Sequence, residues 1–283
     1  MPRLSARRGA GLAEMIVALT LSAIVSAAAV SALARAERYM RRSRAASDAR
    51  RTLREAESVL ASELRAAASD SVRVRGDTAV DFLGLVGVSV VCVASGTVLV
   101  LPPDVAAGGL PYSSWRASPE TGDVVAVFDT ASGGLWRTAV VDAASTRTDG
   151  AGCKPSSGLL SAADAAARRP VMRVVLQSSL DPASAVVGTP VRVLRSGRYA
   201  LTRAADGSWS LSYRRCTGSS CGVAQPVAGP FAAPSDSGLV FTNVARESRI
   251  EAFFRTLSSE SAEAPGESAL LRVTLRNRSP RVP

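Results

Sequence analysis

Histidine is absent from all 283 residues, and lysine occurs once, at Lys154. The first absence excludes a Ser-His-Asp or Cys-His arrangement and any histidine-ligated zinc site. The second leaves no phosphate-binding loop ending in lysine and no S-x-x-K pair, since Lys154 follows Cys153. The carboxylates show neither a close acidic pair nor a calcium-loop spacing. A match to the G-x-S-x-G nucleophile pattern, GSSCG at 218–222, is read as a loop because Ser220 has no histidine base anywhere in the chain. No catalytic residue, cofactor or metal is therefore expected, and the protein is expected not to be an enzyme. A hydrolase using two carboxylates far apart in sequence is the enzymatic class these absences leave open.

What is present is apolar and arginine-rich. Apolar residues make up 47% of the chain, enough for a sizeable core, and the net charge is +10. Residues 35–54 hold Arg35, Arg38, Arg41, Arg42, Arg44, Arg50, Arg51 and Arg54 against Glu37 and Asp48. Clustered cations can bind nucleic acid, but no recognition motif or aromatic stacking platform accompanies them, and no nucleic-acid partner is expected. The cluster follows an apolar stretch directly, which favours a juxtamembrane stem facing anionic headgroups, with a solvated helix face as the simpler alternative. The four cysteines of an exported chain suggest disulfides. Cys216 and Cys221 bracket the turn-forming CTGSSC, which leaves Cys92 with Cys153 by elimination; a Cys-only zinc site is the rival, but it lacks paired two-residue spacings.

Residues 10–34 are apolar or small apart from Glu14 and a few hydroxyls. Twenty-five helical residues rise about 37 Å, enough to cross a hydrocarbon core of about 30 Å. A secretory signal peptide would end at a small-residue site such as Ala32-Leu33-Ala34, but its apolar core would span only about 7–15 residues. An ordinary signal anchor has no use for Glu14, and arginines at both ends leave the positive-inside rule indecisive.

The segment RRGAGLAEMIVAL (7–19) resembles the leader of type IV prepilins and type II secretion pseudopilins: a basic leader ending in glycine, a cleavage, then an apolar helix with glutamate as the fifth mature residue. On this resemblance residues 1–9 are the leader, Gly9 its last residue, Ala10 the first mature residue and Glu14 the fifth. Alanine replaces the phenylalanine or methionine usual at the mature terminus. The resemblance implies cleavage at Gly9–Ala10 by a prepilin peptidase of the inner membrane and N-methylation of Ala10. It also implies that Glu14 faces the charged terminus of a neighbouring pilin or pseudopilin subunit, because a carboxylate in low dielectric is costly alone and tolerable beside an ammonium. An inner-membrane assembly platform is the further partner implied, with residues 10–34 as the single membrane span and the head in the periplasm.

From Ala34 to Ala68 there is no Gly or Pro, and Leu53, Ala56, Leu60, Leu64 and Ala67 form one stripe at spacings of three and four. An amphipathic helical stem is expected over 35–69. RRTLREAESVLASELRAA (50–67) is similar to the stem of J-type pseudopilins and PilW-type minor pilins, implying a minor subunit. Over residues 70–283, short apolar or alternating runs are bounded by turn residues. Strands are expected at 79–85, 88–94, 97–102, 123–129, 135–142, 171–177, 190–195, 198–203, 208–215, 238–244 and 270–276. Asp206-Gly207 marks a hairpin turn. Residues 143–170 and 256–269 read as loops, the first with a short helix at SAADAAARR. The fold class expected is α+β: a long N-terminal helix, half in membrane and half under a β-rich antiparallel head, as in pilins.

Overall fold

The first described element is one long, unbroken helix. In the computed structural model, helix α1 (Leu12–Ala66) is 55 residues long, about 82 Å at 1.5 Å per residue. The structure describes residues 11–67, 71–104, 112–129, 134–148, 152–180, 185–218, 220–244, 248–258 and 266–275. The stripe of Leu53, Ala56, Leu60, Leu64 and Ala67 is buried, and it is this face that carries the head. Residues 11–44 are exposed on all sides.

The head is antiparallel throughout its described pairings. Its strands are β1 (Arg73–Arg75), β2 (Ala79–Val90), β3 (Val93–Ser95), β4 (Val98–Leu101), β5 (Ser114–Trp115), β6 (Val124–Asp129), β7 (Leu135–Arg147) and β8 (Val171–Leu176). There follow β9 (Pro190–Arg203), β10 (Trp209–Thr217), β11 (Ser220–Cys221), β12 (Gln225–Phe231), β13 (Leu239–Val244), β14 (Arg249–Arg255) and β15 (Ser268–Thr274). A one-turn helix, α2 (Ala162–Ala166), begins at Ser161, whose hydroxyl accepts from the Asp164 N–H.

The spine is the pairing of β2 with β9, from Ala79 opposite Ala200 to Val90 opposite Pro190. On its other edge β9 serves two partners in succession. Val191–Leu194 pair with β6, and Gly197–Arg203 with β10. The sheet therefore forks at Arg195-Ser196. One branch continues through β7, β8, β4 and β3; the other runs to β12, with β11 folded onto the end of β10. A separate sheet of β13, β14 and β15 closes over the helix.

The fork gives the head two cores. In the proximal core the helix stripe meets Val80, Phe82, Tyr199, Leu211, Phe231 and Phe254. The distal core lies away from the helix and packs Val125, Val141, Val174, Val193, Leu99 and Leu101 between strands. Gly197 marks the division: a Cβ there would come within 2.6 Å of the Tyr213 ring, which fills the space beside it.

Several expected boundaries move. Residues 79–85 and 88–94 are not two strands. β2 runs through Gly84 and Gly87 with a register shift between Leu85 and Gly87, so the glycines mark a bulge and not an end. The runs 190–195 and 198–203 likewise join across Ser196-Gly197. Residues 143–147 are strand, not loop: β7 changes partner from β6 to β8 at a bulge between Val141 and Ala143. β12 and β14 were not expected; the prolines of QPVAGPF suit an edge strand, and RIEAFFR buries Ile250, Ala252 and Phe254 in strict alternation. The β9–β10 hairpin turns over residues 204–208, with Gly207 at φ +84° and the Asp206 carboxylate accepting from the Ser208 N–H.

Candidate functional site

The lower half of α1 is the most unusual surface of the molecule. Leu12, Met15, Ile16, Leu19, Ile24 and Leu33 are each between 54% and 80% exposed. A helix apolar on every side is stable only inside a large core or in lipid. Among the described residues nothing packs on it, and the segment is long and apolar enough to cross a membrane. Two of its hydroxyls are satisfied within the helix: Thr20 donates to the Val17 carbonyl and Ser31 to that of Ala28, both at 2.9 Å. A chain with one such span has what a single-pass anchor needs.

Glu14 is the one charged residue between 12 and 34 and stands in the first turn of α1. Its Oε2 accepts from the Gly11 N–H at 3.3 Å, a long bond beside the usual 2.9–3.0 Å. This is half of a capping box; glycine has no side chain to return the second bond. An ionised carboxylate offers about four acceptor positions, so the intrahelical bond leaves most of its capacity unused. Gly9 and Ala10 lie outside the described residues.

The cysteines form two disulfides within the head, Cys92–Cys153 and Cys216–Cys221. The first ties the β2–β3 connection to the segment before α2; the second closes the β10–β11 hairpin. Disulfides persist in oxidising compartments, which suits a head outside the cytoplasm. Ser220, the decoy nucleophile, sits within the closed hairpin. Lys154 borders a hollow of about 570 Å³ together with Arg168 and Arg169, beside Cys153. Among the described residues no group of three or more His, Cys, Asp or Glu is placed to hold a metal ion.

Sequence reasoning had no signal for the charge cluster at the fork, because its members are up to 95 residues apart. Asp123 is buried; its Oδ1 accepts from Arg195 Nε at 2.9 Å and its Oδ2 from Arg195 Nη2 at 2.8 Å. Arg215 reaches the same carboxylate at 3.3 Å and also pairs with Glu120. The paired guanidinium bonds hold the 118–123 turn in the fork. Burial pushes the nearby Tyr199 and Tyr213 phenols up, and the Glu63 carboxylate of α1 adds to this at Tyr199.

The tryptophans are packing residues. Trp115 lies over Gly87, where any side chain would overlap its ring. Trp136 has Phe128 against its edge at 5.2 Å and the Arg192 guanidinium over its face at 4.7 Å. Trp209 packs on the proximal core. Comparison with known protein families, with curated proteins and with solved structures finds no match to this chain.

Proposed function

We propose that the chain is a minor pilin or pseudopilin, a non-enzymatic subunit processed at Gly9–Ala10 and held in a bacterial inner membrane by residues 10–34. Its β-rich head then stands in the periplasm, and its work is to initiate or cap a short filament of a type IV pilus or type II secretion machine. The reading is carried by Glu14: a lone carboxylate five residues after Gly9, in the first turn of an otherwise uncharged membrane-length helix. A glutamate in a bilayer core costs about 2.5–3.5 kcal/mol on insertion scales, so its retention points to a partner. The single long bond to Gly11 leaves room for a neighbouring subunit's terminal ammonium. Arginines flank the helix at both ends, and the two disulfides support a head on the oxidising side.

Mass spectrometry of the mature amino terminus tests the processing. N-methylated Ala10 is expected; a chain beginning at Arg35 means an ordinary secretory leader and ends the proposal. Glu14→Ala is expected to leave insertion intact and to abolish recovery of the chain with partner subunits after cross-linking. Undiminished recovery removes the pairing role.

A further inference from the structure

The stripe that carries the head does not stop where the head stops. Followed down α1 at the same spacing of three and four, the positions 67, 64, 60, 56 and 53 continue as Ala49, Ala46, Arg42, Arg38 and Arg35. Positions under the head are leucine or alanine, those next below are half-buried alanines, and the next three are arginines, of which Arg42 borders a hollow shared with Glu267 and Ser268 of the head. Arg41 and Arg44 flank them, and Glu37 is the sole carboxylate between residues 35 and 47. These five arginines are exposed, and they occupy the first three turns after the apolar segment that ends at Ala34. Ten helical residues rise about 15 Å, and arginine stems reach back along a helix, so all five guanidinium groups fall within the headgroup layer of a membrane that the apolar segment spans.

The spacing itself speaks against a merely solvated face. Arg38 and Arg42 are four apart, and Arg35–Arg38, Arg38–Arg41 and Arg41–Arg44 three apart, all like-charge neighbours that destabilise a helix in water. Tyr39, 75% exposed among the lower arginines, has the amphipathic ring found at the membrane–water boundary.

We infer that Arg35, Arg38 and Arg42, with Arg41 and Arg44, form a collar that binds anionic phospholipid headgroups in the gap between the membrane surface and the underside of the head. The inference rests on residues 12–34 crossing a membrane and is independent of the filament reading. By occupying the head-facing side of the helix, the bound headgroups set the height of the head above the bilayer.

The test uses the full chain in two steps. Flotation with vesicles of pure phosphatidylcholine first establishes the anchor; a chain that stays in the soluble fraction overturns the membrane reading and the collar with it. The detergent-solubilised chain is then offered equal amounts of phosphatidylglycerol and phosphatidylcholine, and retained lipids are counted by mass spectrometry. Each arginine near an anionic surface contributes about fivefold, so a preference for phosphatidylglycerol of tenfold or more is expected. Arg35→Gln/Arg38→Gln/Arg42→Gln should bring that preference to within about twofold. Arg51→Gln/Arg54→Gln/Arg203→Gln, which removes equal charge elsewhere, should keep it. An unselective parent chain overturns the collar, as does equal loss in the two triple variants. Displacement of the lipid by millimolar inorganic phosphate makes this a free-anion site and overturns the lipid assignment.

Discussion

The two halves of α1 are both rich in Ala and Leu, yet one is wholly exposed and the other carries a head. The difference lies in arrangement. Below residue 34 apolar side chains surround the axis, so no single protein face could cover them; above residue 50 they keep to one stripe, and charges hold the rest in water. The halves should therefore separate energetically. A fragment beginning at residue 48 keeps the stripe and should unfold in urea with the stability of the full-length head. One beginning at residue 71 loses three buried leucines, worth roughly 5–9 kcal/mol, which is comparable to the stability of a whole domain. It should lose the near-ultraviolet signal of the Phe82–Tyr199–Tyr213 cluster. A fully structured 71–283 fragment would mean that the helix is only a passenger.

The distal lobe extends the comparison, because it has a core without the helix and a disulfide in its place. Cys92–Cys153 closes a 61-residue separation, for which loop entropy predicts about 4 kcal/mol of stabilisation. Cys216–Cys221, across five residues, is worth about 2 kcal/mol by the same relation. Urea unfolding of the 48–283 fragment with each pair changed to alanine should show that ranking. An equal loss for both pairs would show that loop closure does not control it.

Single substitutions sharpen the contrast along the helix. Leu60→Ala opens a cavity in the proximal core and should cost about 3 kcal/mol, within the usual 2–5 kcal/mol range. Ile24→Ala, the same kind of truncation on the bare half, should change head stability by less than about 0.5 kcal/mol. Comparable losses at both sites would place Ile24 in a contact that the monomer does not show.

How much of this was legible beforehand follows the same divide. The stripe from Leu53 to Ala67 could be read residue by residue, because helical period and burial coincide there. Most strands were legible from β-branched runs, and the antiparallel class with them. The fork was not. β9 is one strand with two successive partners, and its Ser196-Gly197 looks like a turn in sequence because glycine serves ring packing and turns alike. β7 beyond Asp142 carries no hydrophobic signal in the sequence, because alanines and serines line an exposed strand there. In the candidate site, Glu14 was visible because it interrupts an apolar run, whereas Asp123, Arg195 and Arg215 come together only through the fork.

The smallest expected effect lies where α1 hands the chain to the sheet. Asp81 on β2 accepts from Arg198 of β9 at 2.5 Å and 3.1 Å and from Arg75 of β1 at 2.9 Å. Burial alone would push its carboxyl up, but the hydrogen bonds and charges of the two arginines outweigh this and hold it below the ordinary carboxylate value. The unfolded chain takes up this proton near pH 3.9 and the folded chain only at lower pH. The contribution is thus fully present above about pH 4 and disappears as pH falls through the folded-state value. Arg75 is largely in water, so screening limits the effect to below about 1 kcal/mol. Asp81→Asn should therefore lower the stability of the 48–283 fragment slightly at pH 6 and flatten its decline below about pH 4. Parallel declines in the two proteins would mean that β1 is held to the proximal lobe by its backbone pairing with β2, and that the arginine pair adds only local order.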